Sequence, residues 1–563
     1  MKSYNGHILI LGAGLMQRPA IEAARSLGYK VTLVDANPAA LCVPLADRFE
    51  PIDLKNRDAI RDLALELKEK DGLTAVFTAG TDFSAAVSYA SAACGFAAHS
   101  VEAALNASDK IRMRGCFKTH GVPSPHFMQV DEASFDSVCL TADRLGALLF
   151  PLVVKPVDNM GGRGCRLIRA RDELEPALRA AMENSRSGRA ILEDYMNGPE
   201  FSIDALVYDG TVTVCGFADR HIFYPPYFIE TGHTMPTTVS EKDRLELIAA
   251  FARGIQALGL TCGAAKADIK LTRKGPMIGE IAARLSGGYM SGWTYPYASD
   301  CPLTEQAELI AAGKEPAWLL AHRQPLSLRA GVSGAAPFDL YEVPSARICA
   351  ERAWISVPGT VAAVCGLSEA ASVPGVRDVL PRFAAGAAVV FPHNNVEKCG
   401  NVIAVSADRT EAVSAAEHAV RCIVLRLEAD NPATDAFLAG RTVCAGEDGY
   451  PPAAFPLDSA VSAAFDSFLG RSDAEHTAVR YPVSAHIPAC LLPVADTVRD
   501  WSYRTIRQSA ESFDKMISES GPDSAAGVPE SMFWRACVRG GLQGMLYAAD
   551  SAGVHRSAAG APL

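Results

Sequence analysis

The sequence lacks the features of a membrane, secreted or nucleic-acid-binding protein. No apolar run is long enough to span a bilayer, and the first residues contain no apolar stretch followed by a small-residue cleavage site. The formal net charge is -11, and the basic residues form no runs, which argues against nucleic acid or an anionic membrane as a partner. The 15 cysteines include no Cys-x-x-Cys pair, so we predict reduced thiols and a cytoplasmic protein.

Length and composition indicate several globular domains. The chain has 563 residues, too many for one hydrophobic core, and we expect three or four domains. Hydrophobic residues make up 49% and charged residues 21%, as in ordinary globular proteins. We find no internal repeat. The alternation of strand-like and helix-like segments predicts a multidomain chain of the α/β and α+β classes.

The N-terminal segment has the pattern of a doubly wound α/β domain. An apolar strand at His7–Leu11 is followed by the turn Gly12-Ala13-Gly14, an amphipathic helix over residues 17–27 and a strand at Lys30–Val34. A dinucleotide-binding fingerprint requires a third glycine where this sequence has Gln17. We therefore favour an α/β domain without a dinucleotide.

A second pattern, between Gly263 and Gly288, predicts a β-hairpin. If its turn is centred on Lys274, Asp268 lies opposite Glu280 on one face, while the apolar residues face a core. Two facing carboxylates repel each other unless a positive charge lies between them, and their oxygens suit a magnesium ion shared with substrate phosphates. The hairpin alone leaves a second interpretation open, a pair of solvated acids balanced by neighbouring cations.

A glycine-rich loop suggests a phosphate site. The strand Leu152–Lys155 leads into a loop that contains Gly161, Gly162 and Gly164. The backbone N–H groups of these glycines can approach phosphate oxygens, and Lys155 adds a positive charge. Upstream, Ser108 is a candidate N-cap for a helix that carries Lys110. A plain hairpin turn and a solvated helix face are the alternatives. Further on, the strands at Ala190–Asp194 and from Glu200 could contact an adenine and its ribose.

In this order, the segments resemble the ATP-grasp superfamily over about residues 108–313. The matching segments are SDKIRMR, PLVVKP, NMGGRGC, EDYMNGPEFSID, ADIKL and GEIAARLSGG. The N-terminal domain looks like the one that precedes the grasp fold in biotin carboxylase and carbamoyl-phosphate synthetase. Residues 219–240 and the ending EIAARLSGG resemble the L-amino-acid ligase branch most.

The resemblance implies ATP and Mg²⁺ or Mn²⁺ as cofactors and gives roles to individual residues. Arg284 and Lys155 would be catalytic, and Asp268 and Glu280 would hold the metal. The nucleotide would contact Lys110, Lys155, Gly161, Gly162, Gly164, Glu193, Tyr195 and Glu200. Ala282 stands where many relatives have Asn, and Asp268 stands where Glu is common. The number of metal ions in the site, one or two, therefore stays open.

The substrate residues are predicted from two further segments. Glu230 could hold an amino group, and Ser286, Gly287 and Gly288 offer backbone N–H donors for a carboxylate. For His233, a substrate role and a surface or structural role are equally open. The implied reaction is an ATP-dependent joining of a small carboxylate and an amine through an acyl phosphate.

Four domains are predicted, with boundaries at 1–107 for the N-terminal α/β domain, 108–316 for the ATP-grasp domain, 325–430 for a small α+β lid and 431–563 for a mostly helical extension of unknown role. We expect the tail 557–563 to be disordered. Homodimers are common in the families resembled. Two other functions stay open: a carboxylase or carbamoyl-phosphate-type enzyme that uses bicarbonate, and a nucleotide-binding regulatory protein.

Overall fold

The computed structural model describes residues 4–140, 145–440, 449–518 and 528–553. The chain divides into two units, each treated by itself below. The first unit contains residues 1–221, 233–350 and 405–409, and the second contains 222–232, 351–404 and 410–563. The four-domain division stays a prediction. Within the described ranges, no helix has both the length and the apolar character needed to cross a bilayer.

The N-terminal part of the first unit is a parallel sheet with helices, as predicted for a doubly wound α/β domain. Its strand order is β3-β2-β1-β4, with Gly6 paired to Tyr29. The first helix begins at Arg18, because residues 15–17 form a 3-10 turn. The elements are β1 (Gly6–Leu11), α1 (Arg18–Ser26), β2 (Tyr29–Val34), β3 (Arg48–Glu50), α2 (Arg57–Asp71), β4 (Ala75–Phe77), α3 (Ser84–Cys94) and α4 (Val101–Ser108).

A small antiparallel sheet follows, in the order β5-β8-β6-β7. The predicted cap of the basic helix is wrong: Ser108 ends α4, and the Asp109 carboxylate accepts hydrogen bonds from the N–H groups of Ile111 and Arg112. The elements are α5 (Lys110–Thr119), β5 (Phe127–Val130), α6 (Glu132–Leu140), β6 (Leu152–Pro156), β7 (Arg166–Ile168), α7 (Leu174–Glu183) and β8 (Ala190–Asp194).

A larger sheet completes the first unit. Its strands run in the order β13-β12-β9-β10, β15 pairs in parallel with β10, and β14 pairs with β15. The helix α8 covers one face, where Phe251 shares a core with Ile269 and Ile281. The elements are β9 (Glu200–Tyr208), β10 (Thr211–Phe223), β11 (Ile229–Met235), α8 (Glu241–Leu258), β12 (Gly263–Thr272), β13 (Gly275–Ala282), α9 (Tyr295–Ser299), α10 (Leu303–Ala311), α11 (Ala317–His322), β14 (Gln324–Ala330) and β15 (Phe338–Glu342).

The predicted hairpin is β12 and β13. Asp268 pairs with Glu280, as expected, but the register shifts beyond that pair, where Ile269 faces Ile278. This bulge leaves Gly279 without a partner and shortens the turn, so that Thr272 pairs with Gly275. The shift places Ile278 in the core without moving the two carboxylates.

The second unit contains two small sheet segments and a helical C-terminal part. In the first, β20 lies between β16 and β18; the second has the order β19-β17-β21. Trp534 is fully buried among the last helices, and the tail predicted to be disordered lies outside the described residues. The elements are β16 (Ile348–Trp354), β17 (Gly359–Cys365), α12 (Leu367–Ser372), β18 (Val376–Pro381), β19 (Ala388–Val389), β20 (Gly400–Ser406), α13 (Arg409–Cys422), β21 (Val424–Leu427), α14 (Pro432–Ala439), α15 (Ser459–Glu475), α16 (Ile506–Ser518) and α17 (Glu530–Ser551).

Candidate active site

The facing carboxylates of the hairpin lie among cations. One oxygen of Asp268 is 2.5 Å from Arg220 Nη1, and the other is 2.5 Å from Lys266 Nζ. Glu280 Oε1 is 3.4 Å from Lys110 Nζ. Since these cations already balance the two acids in this structure, the hairpin is part of a dense charge network and not a pair of isolated surface residues.

Lys110 links this hairpin to the glycine-rich loop. It is the first residue of α5 and only 6% exposed. Besides its contact with Glu280, its Nζ donates to the carbonyl oxygen of Asn159 at 3.0 Å. The helix therefore places a lysine ammonium group between the loop and the two carboxylates, where the sequence pattern alone left a solvated face as an alternative.

The glycine-rich loop joins β6 to β7 and requires its glycines. Gly161, Gly162 and Gly164 have φ values of +71°, +77° and +65°, a region that residues with a Cβ rarely adopt. A Cβ on Gly164 would also lie 2.9 Å from the Cβ of Asn184. The backbone conformation suits a loop that covers phosphates; the contact of this loop with a nucleotide stays a prediction.

Lys155 and Glu193 form a buried ion-pair cluster with Arg114. The Glu193 carboxylate lies 2.7 Å from Lys155 Nζ and 2.6 Å from Arg114 Nε, and it is 1% exposed. Its side chain therefore binds these two cations; the predicted adenine contact, which this strand would make through its backbone, stays a prediction. The backbone of Glu193 also lies within the small sheet, between β5 and β6.

The pKa values in this cluster reflect the competition between burial and charge. Burial raises the pKa of Glu193, but Arg114 and Lys155 outweigh it and bring the pKa down to about 2. Burial lowers the pKa of Lys155, yet the nearby Glu193, together with Cys165, leaves that pKa above its ordinary value. Both groups are thus charged at neutral pH.

The predicted ribose and adenine residues lie at the end of the large sheet. Glu200 is 2.6 Å from Arg220 Nη1 and 3.3 Å from Lys270 Nζ, and the same lysine lies 5.2 Å from the centre of the Tyr195 ring. Arg220 therefore bridges Glu200 and Asp268 across β9 and β12. Glu200 and Tyr195 keep partial exposure, so their predicted contacts with a nucleotide are compatible with the structure.

Arg284 is a buried cation with spare hydrogen-bonding capacity. It is 9% exposed, its Nη1 donates to the carbonyl oxygen of Leu285 at 3.0 Å, and its Nε has no hydrogen-bond partner within the described residues. Asp82 lies nearby: burial raises its pKa, and Arg284 opposes that rise. A buried guanidinium with an open donor is suited to an anionic ligand.

The segment predicted to bind a carboxylate is only partly available. The N–H of Ser286 donates to Asp204 Oδ2 at 2.9 Å, so the prediction of a free donor at Ser286 is wrong. The next residue packs against the N-terminal domain, since a Cβ on Gly80 would lie 3.2 Å from Gly287 Cα. For Gly287 and Gly288 a substrate contact stays a prediction.

Glu230 and His233 were predicted from one short segment, but they fall in different units. Glu230 is in the second unit, where its N–H donates to Asn395 Oδ1 at 2.8 Å and its carbonyl oxygen accepts from Lys398 Nζ at 2.7 Å. His233 is in the first unit and only 1% exposed, so it is not a surface histidine. Their substrate roles stay predictions.

Several residues of the site were not singled out from the sequence. The sequence does contain a signal for Arg114: it follows Lys110 by four positions and therefore lies on the same face of the helix. The others depend on contacts between distant segments, and no local pattern points to them. They are Gln17, Asp82, Asp204 and Arg220.

Asp268 and Glu280 fit a magnesium ion only with additional ligands. The described residues contain no group of three or more His, Cys, Asp or Glu side chains that could hold a metal. Magnesium needs no such group, because it commonly binds one or two carboxylates together with water and substrate phosphates. The two side chains are 19% and 30% exposed, so they remain accessible to an incoming metal–nucleotide complex.

The comparisons with family models agree with this geometry. Residues 148–292 match an ATP-grasp domain, and residues 353–428 match the L-amino acid ligase C-terminal domain 2. Residues 148–292 therefore form an ATP-grasp domain, and a ligase-type domain follows it in the chain. The C-terminal half of the chain carries a domain of the L-amino acid ligase type, which confirms the resemblance found in the sequence.

Curated relatives are distant. An uncharacterized protein, y4rH, of Sinorhizobium fredii is 24% identical over 74% of this chain and 82% of its own length. Carnosine synthase 1 of Gallus gallus is 27% identical over 55% of this chain, and a formate-dependent phosphoribosylglycinamide formyltransferase of Burkholderia pseudomallei is 30% identical over 34%. The matches span 35% and 46% of the lengths of the latter two proteins.

Solved structures share the fold. The L-amino acid ligase from Bacillus licheniformis aligns with a TM-score of 0.63 at 20% identity, over 76% of this chain and 100% of that one. Phosphoribosylglycinamide synthetase from Anaerococcus prevotii aligns with a TM-score of 0.56 at 18% identity, over 75% and 100%. At these identities the likeness establishes the fold alone.

Proposed function

We propose that this chain is an ATP-dependent carboxylate–amine ligase that forms an amide through an acyl phosphate. The observation that carries the proposal is the arrangement around the hairpin. Asp268 faces Glu280, Lys110 connects that pair to the glycine-rich loop, and the buried guanidinium of Arg284 follows two residues after the end of β13. This is the arrangement of charge that phosphoryl transfer from ATP requires.

The reaction proceeds in two steps. A carboxylate oxygen of the acid attacks the γ-phosphorus of ATP, the bond from that phosphorus to the β,γ-bridging oxygen breaks, and ADP leaves. The nitrogen of the amine then attacks the acyl carbon, phosphate departs with the oxygen that linked it, and the nitrogen loses a proton. The products are an amide, ADP and phosphate.

The protein contributes position and charge to the first step, in which one anion attacks another. Lys110 and Lys155 bind the phosphates, while Arg284 stabilises the charge that spreads over the transferred group. The glycine-rich loop covers the phosphates and excludes water, which would otherwise hydrolyse the acyl phosphate. Asp268 and Glu280 would hold magnesium, which would neutralise phosphate charge and orient the γ-phosphoryl group.

Amino acids are the substrate class we propose for both components. The match of residues 353–428 to an L-amino acid ligase domain supports this, as does the 27% identity to carnosine synthase 1. We assign the acid to Arg284 with the backbone of Gly287 and Gly288, and the ribose to Glu200; the role of Glu230 stays a prediction from the sequence. Tyr195 contacts the adenine in this proposal, and the side chain of Glu193 supports Lys155.

The test is the release of ADP and phosphate from Mg-ATP in the presence of pooled L-amino acids, hydroxy acids, amines or bicarbonate. We expect release only when an acid and an amine are both supplied, with an amide detected by mass spectrometry. Release with bicarbonate alone would assign the chain to carboxylation. Binding of ATP without turnover on any pool would favour a regulatory protein.

A substitution of Lys155 tests the assignment of the phosphate site. Lys155→Ala should lower turnover by roughly two to three decades, the loss expected when one preorganised charge-stabilising group is removed. Lys274→Ala, at an exposed position in the hairpin turn, is the matched control and should retain the wild-type rate. A wild-type rate in Lys155→Ala would remove this lysine from the site.

A further inference from the structure

Asp204 is a buried acid in β9 that no step of the proposed reaction uses. It is 0% exposed, and its Oδ2 accepts a hydrogen bond from the N–H of Ser286 at 2.9 Å. Ser286 begins the Ser286–Gly288 segment and lies two residues after Arg284. One side chain of the central sheet is therefore bonded to the backbone of the loop assigned to the acid substrate.

The position of Asp204 in the sheet fixes its carboxylate. On one side β9 pairs it with Lys266, and on the other with Gly216, next to a bulge in β10. The ring of Tyr295 lies directly over Gly216, where an added Cβ would be 2.2 Å from Tyr295 Cδ1. Because Asp204 lies on a central strand of the sheet and is fully buried, its carboxylate has no access to solvent as an alternative to the loop.

Retaining a charge here is costly unless it serves a purpose. Asp204 Oδ1 has no hydrogen-bond partner among the described residues. Burial raises the pKa of Asp204 to about 6, although the Ser286 hydrogen bonds, Lys266 and Arg284 all oppose the rise. A neutral residue would avoid this cost, so the acid needs an explanation beyond the packing of the sheet.

The other side of the same loop is held by the N-terminal domain. Gly80 packs on Gly287, and its turn is bound by Gln17, whose Oε1 accepts from the N–H of Ala79 at 2.9 Å and whose Nε2 donates to Thr81 Oγ1 at 2.6 Å. The hydroxyl of Ser291 closes the loop by donating to the carbonyl oxygen of Ser286 at 2.6 Å. The loop thus has a neutral anchor on one side and a charged anchor, Asp204, on the other.

We propose that Asp204 is a positioning residue that fixes the Ser286–Gly288 loop so that Arg284 and the backbone of Gly287 can receive the carboxylate of the acid substrate. Asp204 does not touch the substrate; it acts through Ser286. The part of the proposal that concerns substrate binding rests on the ligase function proposed above. Its structural part, the anchoring of the loop, is independent of the reaction.

The anchoring is tested by hydrogen–deuterium exchange on the full chain without ligand. Asp204→Ala removes the acceptor, and we expect the amides of residues 284–291 to exchange roughly tenfold to a hundredfold faster, as for the loss of a hydrogen bond to a charged group. Asp204→Asn keeps an acceptor oxygen and should change exchange less. The matched control is Asp47→Ala, since Asp47 also accepts a backbone N–H, that of Val31, at 2.9 Å; it should leave the loop unchanged.

The consequence for the substrate is tested by steady-state kinetics with an equimolar mixture of L-amino acids as the probe. For Asp204→Ala we expect the apparent KM for the mixture to rise roughly tenfold, while the KM for ATP stays within about twofold. Asp204→Asn should recover most of the affinity. A purely structural role would lower the melting temperature and leave both KM values as they are.

The two proposals fail in different ways. Unchanged exchange at 284–291 in Asp204→Ala would overturn the anchoring, whatever the enzyme does. Faster exchange with an unchanged KM for the amino-acid mixture would overturn the link to substrate binding. If the wild-type chain turns over no pool at all, the ligase function is refuted, while faster exchange in Asp204→Ala would still support the anchoring of the loop.

Discussion

The buried cluster of Arg114, Lys155 and Glu193 allows a stability prediction that does not depend on knowing the substrate. Replacing Glu193 by Gln removes the negative charge and keeps the size and shape of the side chain. Arg114 and Lys155, which lie 2.6 Å and 2.7 Å from the carboxylate, would then be two cations facing each other in the interior. Gln keeps one acceptor oxygen but has a donor NH2 group in place of the other, so the change removes the charge and one of the two acceptors.

The magnitude follows from two independent arguments. Breaking a buried ion pair by removing one partner typically costs about 3–5 kcal/mol. The pKa of Glu193 falls from an ordinary 4.5 to about 2, and this difference corresponds to roughly 3 kcal/mol of stabilisation of the ionised form. Since Glu193 is 1% exposed, solvent does little to reduce this figure. We expect Glu193→Gln to lower the free energy of unfolding by about 3 kcal/mol at neutral pH.

The pH dependence gives the sign of the effect. Because the folded-state pKa of Glu193 lies below its unfolded value, its contribution is fully present above pH 4.5 and is lost as the pH falls towards 2. The difference in stability between wild type and Glu193→Gln should therefore shrink across that window. Urea unfolding followed by circular dichroism at a series of pH values between neutral and acid measures this difference.

A surface pair of similar length is the control. Glu175 lies 2.7 Å from Arg179, but both side chains are more than half exposed. Glu175→Gln should leave the unfolding midpoint within experimental error, because exposed pairs contribute little. If Glu193→Gln proves no more destabilising than Glu175→Gln, or if its effect does not depend on pH, the account of the cluster is wrong.

Two further predictions concern the metal site and the glycine-rich loop. Glu280→Gln should weaken the dependence of ADP release on magnesium concentration, because one of the two facing carboxylates is lost; an unchanged magnesium titration would make the hairpin acids ordinary charged residues. Gly164→Ala should lower the melting temperature and the affinity for ATP, since a Cβ there would lie 2.9 Å from Asn184 Cβ at φ +65°. Gly121→Ala has a similar φ of +63° with nothing within 4 Å, so the two variants should differ in melting temperature by the cost of that contact.

Local patterns were sufficient to predict several elements of the first unit. Alternation of polar and apolar residues located β12 and β13 and predicted the pairing of Asp268 with Glu280, because side chains on a strand repeat with a period of two. The bulge that pairs Ile269 with Ile278 was not predicted, since a single inserted residue leaves the alternation on either side intact. The order of the segments then identified the ATP-grasp domain.

The sequence by itself therefore determined the strands of the hairpin, the order of the motifs and the ATP-grasp domain, because these depend on residues that are neighbours along the chain. Only the tertiary structure decided which charges meet. Glu193 binds Arg114 across 79 residues of chain, and Ser286 binds Asp204 across 82. No periodicity relates such positions. Burial then fixes what the contact means: because the Glu193 carboxylate is enclosed, it must neutralise the cations beside it.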